Sequence, residues 1–584
     1  MATLRQHRGS DAAQRDREAV QVRLRGLLGK ALARSCSERL KKIDYRQLAD
    51  PFRFRNEADN AWRCEFWGKV VRSAILTNCH EGDRELAGMI EAAVRDILST
   101  QTPDGCVSSY PAEKQLGGWD VWGRKYVLLA LLRYYDLVAP EEAVRNCCVG
   151  MLDHLMTQLG PGKRNILECG CHGGLAASSI LGAVVGVYRI TGEERFLDFA
   201  RCIVRTGCSQ AGDIFAAARA GTPPKELGNG KAYEMTSCFQ GLAELYRFDP
   251  RPEYREACEK YFAAVRDREI FITGVGGGKD LYGEYWDDGA RQQTASGYSG
   301  GLGETCVTTT WLHYCERIAE LTDFPSPMEE AERALYNGIL GAMAPDGTHW
   351  THCNPTPLTG GGCKLAAPDQ IERGFGTPFG GHDCCRAQGP EALALAPRLA
   401  VTRVGDAVSL NFFEPLTARI PGVAEIEITG NYPLEPKAEI RVAAERPFEL
   451  RIRIPSFLRR VTLNGLPQQV EPGTFLQIVR AWKREERLTL EFDLSVRETP
   501  SPDGRYRAFL RGPLVLAEDS RGDVPGALCR AECNGRELID YISAGNGMCK
   551  ENTLQVWFPA EDRGEKKSGD RGQRREAGCA APRP

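Results

Sequence analysis

VSLNFFEPLTARI (residues 408–420) and AEIEITG (424–430) alternate apolar and polar residues, the period of a half-buried β-strand. From about Phe52 to Ala400 the apolar residues recur instead at three and four positions, the period of a helix face. The change of period near Val401 therefore divides the chain. Downstream, FELRIRIP (448–455), RVTLNG (460–465), TFLQIVRAW (474–482) and RLTLEFDLSVRET (487–499) repeat the alternation between turn residues, which predicts an antiparallel β-sandwich over 401–500. RYRAFLRGPLVLAED (505–519) opens a further β-rich segment, 501–560. Residues 561–584 are polar without apolar periodicity and are expected to form a disordered tail.

Upstream, helices are predicted over Glu85–Leu98, Tyr126–Leu137, Ala176–Ile190, Glu234–Tyr246, Glu253–Val265, Thr308–Leu321 and Pro327–Leu340. Glycine-rich loops separate them, among them 170–174, 274–278 and 360–362. Long helices joined alternately by short and long loops suggest a toroid of paired helices over 46–400, an (α/α)6 barrel whose longer loops gather at one end. An irregular helical domain would show the same periodicity. Residues 1–45 read as an N-terminal extension.

At 584 residues the chain is too long for one ordinary core, and its 42% hydrophobic and 26% charged residues are those of a globular protein. A net charge of -3 gives no reason to expect nucleic acid or an anionic membrane surface as a partner. No uncharged apolar run reaches the roughly 18 residues of a membrane span. The first twenty residues lack an apolar core for a secretory signal, so the 22 cysteines read as reduced thiols of a cytoplasmic protein, a few of them recruited for metal or catalysis. A homodimer is kept as an assembly option.

Two segments carry chemistry. GLGETCVTTTWLHYCERIAEL (301–321) holds Glu304, Thr305 and Cys306 at a helix start, and GGHDCCRAQGPEALAL (380–395) holds Cys384 and Cys385 ahead of another. Three thiols and a carboxylate can make a tetrahedral zinc set. Residues one or two apart share no helix face, so these donors must sit at helix mouths, in backbone that the flanking glycines permit. A disulfide between Cys384 and Cys385 would be strained, because adjacent Cα atoms lie about 3.8 Å apart and relaxed disulfides need about 4.4 Å or more. Cysteine pairs also occur as inert core packing, the reading given to Cys147 and Cys148.

These residues resemble glycoside hydrolase family 127, the β-L-arabinofuranosidase family. The likeness extends to LYNGILGAMAPDGTHWTHCNP (335–355), RIPSFLRRVTLNG (453–465), VRAWKREERLTLEFDLSVRE (479–498) and LRGPLVLAE (510–518), in order, and covers roughly residues 60 to 520. The resemblance implies an (α/α)6 barrel followed by β-sandwich domains, a retaining mechanism on a small carbohydrate, and Zn2+ held by Glu304, Cys306, Cys384 and Cys385. It places Cys384 on the nucleophile and Glu284, in KDLYGEYWDDG (279–289), on the acid/base, with a slightly longer stretch before Glu304 than the family pattern has.

The family's sugar contacts are rich in histidine. His172 in CGCHGGLAAS keeps one, whereas Lys231 in GNGKAYEMTSC and His352 in WTHCNP depart from the pattern, which puts arabinofuranose in doubt as the substrate. GGWDVWGRKYV adds Trp119 and Trp122, whose faces suit either a sugar ring or the core, and His382 can orient a ligand from beside the cysteine pair. Outside this reading stand a sugar-binding or structural protein in which zinc staples two loops, and another barrel enzyme such as an epimerase or lyase, which would not need Cys384.

Overall fold

The computed structural model describes residues 20–57, 62–278, 283–288, 303–354, 356, 384–482, 485–546 and 553–560. His382 and the segment 561–584 lie outside them. The helical part alternates outer and inner helices along the chain. Outer α1 (Leu27–Glu38) is followed by inner α2 (Phe66–Glu81), outer α3 (Arg84–Leu98), inner α4 (Asp120–Leu137) and outer α5 (Glu142–Gln158). Then come inner α6 (Leu181–Thr191), outer α7 (Glu194–Arg205), inner α8 (Ala232–Tyr246), outer α9 (Pro252–Arg268), inner α10 (Thr305–Leu321), outer α11 (Ser326–Arg333) and inner α12 (Cys384–Ala400). Each inner helix packs on the next, and α12 packs back on α2, so the six close a ring and the (α/α)6 barrel holds.

The two layers follow from composition. Outer α3 buries Leu86, Ile90, Ala93, Val94 and Ile97, one stripe at helical spacing, and offers the rest to solvent. Inner α2 is covered on every side from Phe66 to Thr77, because it touches both ring neighbours and an outer helix. Close approach within the ring uses glycine: a Cβ on Gly68 would lie 2.4 Å from the carbonyl oxygen of Tyr126 on α4. Between inner α2 and outer α3 the turn is only Gly82 and Asp83; Gly82 ends α2 in the left-handed conformation, and Asp83 caps α3 by accepting from the Leu86 N–H at 2.9 Å. Such tight turns occupy one end of the barrel. The longer segments lead into the N-termini of inner helices at the other end.

Residues 20–45 are not an appendage, which corrects the expected domain boundary. Gln21–Leu24 pairs antiparallel with Leu416–Ile420 of the sandwich, and α1 fills the sixth outer position against α12. A four-residue strand with a two-residue alternation is too short to read from sequence. Glu414 locks the join: its carboxylate accepts from the Leu28 and Gly29 N–H groups at 3.1 and 3.2 Å, capping α1 from a distant part of the chain.

The sandwich consists of two sheets. One runs from Gln21–Leu24 through Leu416–Ile420, Ala424–Gly430, Lys437–Ala444 and Glu486–Phe492 to Val461–Leu463 and Leu466–Pro467. The other holds Thr474–Arg480, Phe448–Ile454, Ala407–Leu410 and Val401–Val404. A third sheet is built on Val496–Pro500, Tyr506–Arg511 and Leu514–Asp519. Both β units are tied to the barrel wall through polar groups that α11 and its continuation bury. Arg453 pairs with Glu332 at 2.6 Å, Tyr432 donates to the same carboxylate at 3.0 Å, and Asn337 accepts from the Val515 N–H at 2.8 Å. Arg453→Ala leaves Glu332 buried beside one hydroxyl, so it is expected to cost about 3–5 kcal/mol of stability, read as a lower urea midpoint with unchanged slope.

Candidate active site and metal centre

The reactive side chains stand at the N-terminal ends of inner helices, where orphan N–H groups and the helix dipole favour anions. Glu304 is the N-cap of α10 and Cys384 is the first residue of α12, so two neighbouring barrel helices point their positive ends at one cluster. The ligating atoms of Glu304, His352, Cys384 and Cys385 all lie within 4.8 Å of one another. Glu304 Oε1 is 3.7 Å from each cysteine sulfur, the two sulfurs are 3.9 Å apart, and His352 Nδ1 is 3.4 Å from Cys385 Sγ. Both cysteines are free thiols, as are Cys147 and Cys148 in the core. Such a buried set of sulfur, nitrogen and oxygen donors can hold a metal ion, and its soft sulfurs suit a transition metal better than magnesium or calcium.

Three of the four expected donors, Glu304, Cys384 and Cys385, stand in the mutually close group. Cys306, the second residue of α10, hydrogen-bonds to Cys384 and Cys385, with its sulfur 4.0 Å from the ammonium of Lys69. His352, expected on the sugar, joins the group and is fully buried. The reason is backbone pairing: the Thr305 N–H donates to the His352 carbonyl at 3.0 Å and the Thr305 hydroxyl to Thr351 at 2.7 Å, which draws the 351–354 segment onto the mouth of α10.

Electrostatics single out one thiol. Hydrogen bonds from Cys306 and Cys385 converge on Cys384 and, with His352, hold it well below the ordinary thiol range although burial opposes this. Burial pushes Cys306, Cys385 and Glu304 the other way. His352 is held well above the usual imidazole range: burial opposes its charge, but Cys384, Cys353 and Glu304 outweigh it. These shifts favour a thiolate on Cys384 facing a charged His352. Iodoacetamide at pH 6 is therefore expected to label Cys384 ahead of Cys147 and Cys148, whose thiols burial raises; peptide mass spectrometry reads the order.

Glu284 is brought to the same end of the barrel by two strand-like bonds. Ala232 N–H donates to the Glu284 carbonyl at 3.0 Å, and Trp286 N–H donates to Gly230 at 2.9 Å. This seats the carboxylate on Lys231, the N-cap of α8, whose ammonium donates to Glu284 Oε2. Lys231 is thus the partner of Glu284, and the carboxylates of Glu234 and Glu284 hold it above the usual lysine range against the effect of burial. His172 lies alongside, its ring 5.3 Å from Trp119 and 6.2 Å from Tyr285. Burial lowers its pKa, which favours neutral imidazole at the mouth.

Trp122 does not face a ligand. It is 2% exposed, donates its indole N–H to Glu65, and carries the Lys125 ammonium 3.8 Å above its ring. Its neighbour Trp119 is half-buried and meets His172, so the indole on the open side is Trp119. Sequence reasoning passed over the charged layer beneath the thiols, in which Lys69 pairs with Glu65 at 2.8 Å and sits over the rings of Tyr126 and Tyr233. Its signal was present: a lysine and an arginine inside the otherwise apolar FWGKVVRSAIL (66–76).

A barrel of paired helices with a thiol, imidazole and carboxylate cluster at the inner-helix mouths, backed by β-sandwich units, defines a class of glycoside hydrolase. Residues 23–398 match the model of the β-L-arabinofuranosidase GH127 catalytic domain, and residues 407–494 match that family's middle domain. The chain belongs to glycoside hydrolase family 127 and is a glycosidase. A non-reducing end β-L-arabinofuranosidase from Bifidobacterium longum is 22% identical over 514 residues, 79% of this chain and 76% of that protein. Among solved structures, a GH127 β-arabinofuranosidase superposes with a TM-score of 0.73 at 16% identity, covering 92% of this chain and 96% of its own. A GH127 β-L-arabinofuranosidase from Geobacillus stearothermophilus T6 gives 0.70 at 17% identity, covering 92% and 99%. These likenesses extend over both the helical and the β parts.

Proposed function

We propose that the chain hydrolyses β-L-arabinofuranosides or a closely related small glycoside with retention, using Cys384 as nucleophile and Glu284 as acid/base. The convergence of hydrogen bonds on one thiol at the mouth of α12 carries this reading. The relatives' substrate supports the sugar, while Lys231 in place of a histidine argues for a pocket with its own hydroxyl preferences.

The donor set fits zinc, whose usual partners are thiolate, imidazole and carboxylate. Glu304, Cys384 and Cys385 would hold it, with Cys306 as the fourth ligand and His352 as hydrogen-bond partner to Cys385. When bound, zinc supplies a Lewis-acidic charge that keeps its thiol ligands deprotonated. Cys306→Ala is then expected to lose the metal, whereas His352→Ala weakens it by about 10–100-fold; zinc content after dialysis separates the two.

The chain's own groups perform the chemistry. Sulfur of Cys384 attacks the anomeric carbon as the bond to the aglycone oxygen breaks, and the proton of Glu284 goes to that oxygen. The carboxylate of Glu284 next takes a proton from water, whose oxygen attacks the same carbon and expels the Cys384 thiolate. Two inversions give net retention, as with the usual carboxylate pair. Lys231 fixes Glu284 in position, and His172 with Trp119 offers a polar and an aromatic face to the sugar.

A panel of p-nitrophenyl glycosides tests the reading. Turnover is expected on β-L-arabinofuranoside or one related pentoside, with retained anomeric configuration by NMR; inversion, or turnover undiminished in Cys384→Ser, would contradict it.

A further inference from the structure

The lumen of the barrel does not end at the catalytic cluster. A layer in which Tyr126 meets Tyr233, and Tyr233 donates to Gln388 at 2.6 Å, separates the thiol end from a second cavity of about 380 Å³. That cavity opens among the C-terminal halves of the inner helices, at the end of the tight turns, and none of Glu284, Glu304, Cys384 or Cys385 lines it.

Its lining is strongly basic in a chain whose net charge is -3, so overall charge does not explain it. Some of these cations are matched. Arg189 pairs with Asp136 at 2.6 Å, Arg317 with Glu244 at 3.1 Å, and Arg72 with Glu391 at 2.8 Å. Two are not. Among the described residues, Arg133, about one turn before the end of α4, has no carboxylate within ion-pair distance, and Lys125, two turns earlier on the same helix, touches only the Ser179 hydroxyl at 3.1 Å and aromatic rings. Burial and the neighbouring Arg398 and Arg72 push the Arg133 guanidinium down to about 10, and burial pushes Lys125 down to about 7. Arginines near a helix C-terminus also serve to balance its carbonyl end. Lys125 lies in mid-helix, where that role does not exist.

We propose that this second cavity binds a small oxyanion, a phosphate monoester or polycarboxylate of about pentose-phosphate size, seated between Arg133 and Lys125 with Arg72 and Arg398 beside it. The guanidinium fork matches either oxyanion in two parallel hydrogen bonds, and the volume falls within the range of small-ligand sites. An anion there would balance Arg133, which faces Arg72 and Arg398, themselves paired with Glu391 and Glu316 at 2.8 and 2.9 Å.

The test is calorimetric titration of the full chain at fixed ionic strength with ribose 5-phosphate, inorganic phosphate and citrate. Saturable binding of at least one probe is expected, weakened by about tenfold or more in Arg133→Gln while glycosidase turnover stays as in the native chain. Binding of the phosphates alone assigns a phosphate ligand; binding of citrate alone assigns a carboxylate. No saturable binding by any probe, or equal binding by Arg133→Gln, overturns the site. Should that variant fail to fold, crystals of the native protein soaked in selenate decide: an anomalous peak beside Arg133 supports the site and its absence refutes it.

Discussion

Cys384→Ser is expected to lower kcat on the preferred glycoside by on the order of 10⁴-fold or more, because it removes the group that forms the covalent bond. A serine hydroxyl keeps the shape but is a far weaker acid than a thiol, and the hydrogen bonds that favour a thiolate at this position cannot ionise it at neutral pH. Folding should be little affected, since Cys384 is only half-buried and exchanges one small polar group for another. A thermal midpoint near the native one together with lost turnover would separate chemistry from collapse. Chelation of the native protein should mimic the substitution if zinc holds the same thiol.

Glu284→Gln carries the second largest effect, about 10²–10⁴-fold in kcat for substrates with poor leaving groups. The amide keeps the hydrogen-bonding shape against Lys231 but can neither give the aglycone its proton nor take one from water. The loss should shrink for p-nitrophenyl substrates in the first step, where the leaving oxygen needs little protonation. Glycosyl-enzyme should then accumulate, because the step needing a base stays slow. Azide, which requires no base, is expected to restore turnover in Glu284→Ala and to yield a glycosyl azide of retained configuration. A Glu284 that served only as the counter-ion of Lys231 would show neither the leaving-group dependence nor the rescue.

Several of these features could be read from the order of residues alone. The stripe Leu86, Ile90, Ala93, Val94 and Ile97 declares an outer helix, and the alternation from Val408 onward declares strands, because one buried face imposes one period. Glu304, Cys384 and Cys385 were legible as a donor set since few other uses bring two adjacent thiols and a carboxylate to helix mouths. What stayed hidden depends on segments far apart in the chain. That His352 reaches the cluster is decided by the pairing of Thr305 with 351–352, which no local period records. That Trp122 faces inward while Trp119 meets His172 depends on Glu65 and Lys125. The strand Gln21–Leu24 gains its identity only beside Leu416–Ile420.

Sulfur of Cys384 is expected to bond to the sugar during turnover. Rapid acid quench of Glu284→Ala during turnover, followed by peptide mass spectrometry, addresses it most directly. One added glycosyl unit is expected on the peptide containing Cys384, appearing as fast as the first burst of aglycone and disappearing on addition of azide. A burst with the adduct on another residue, or steady turnover with no adduct at Cys384, would contradict it.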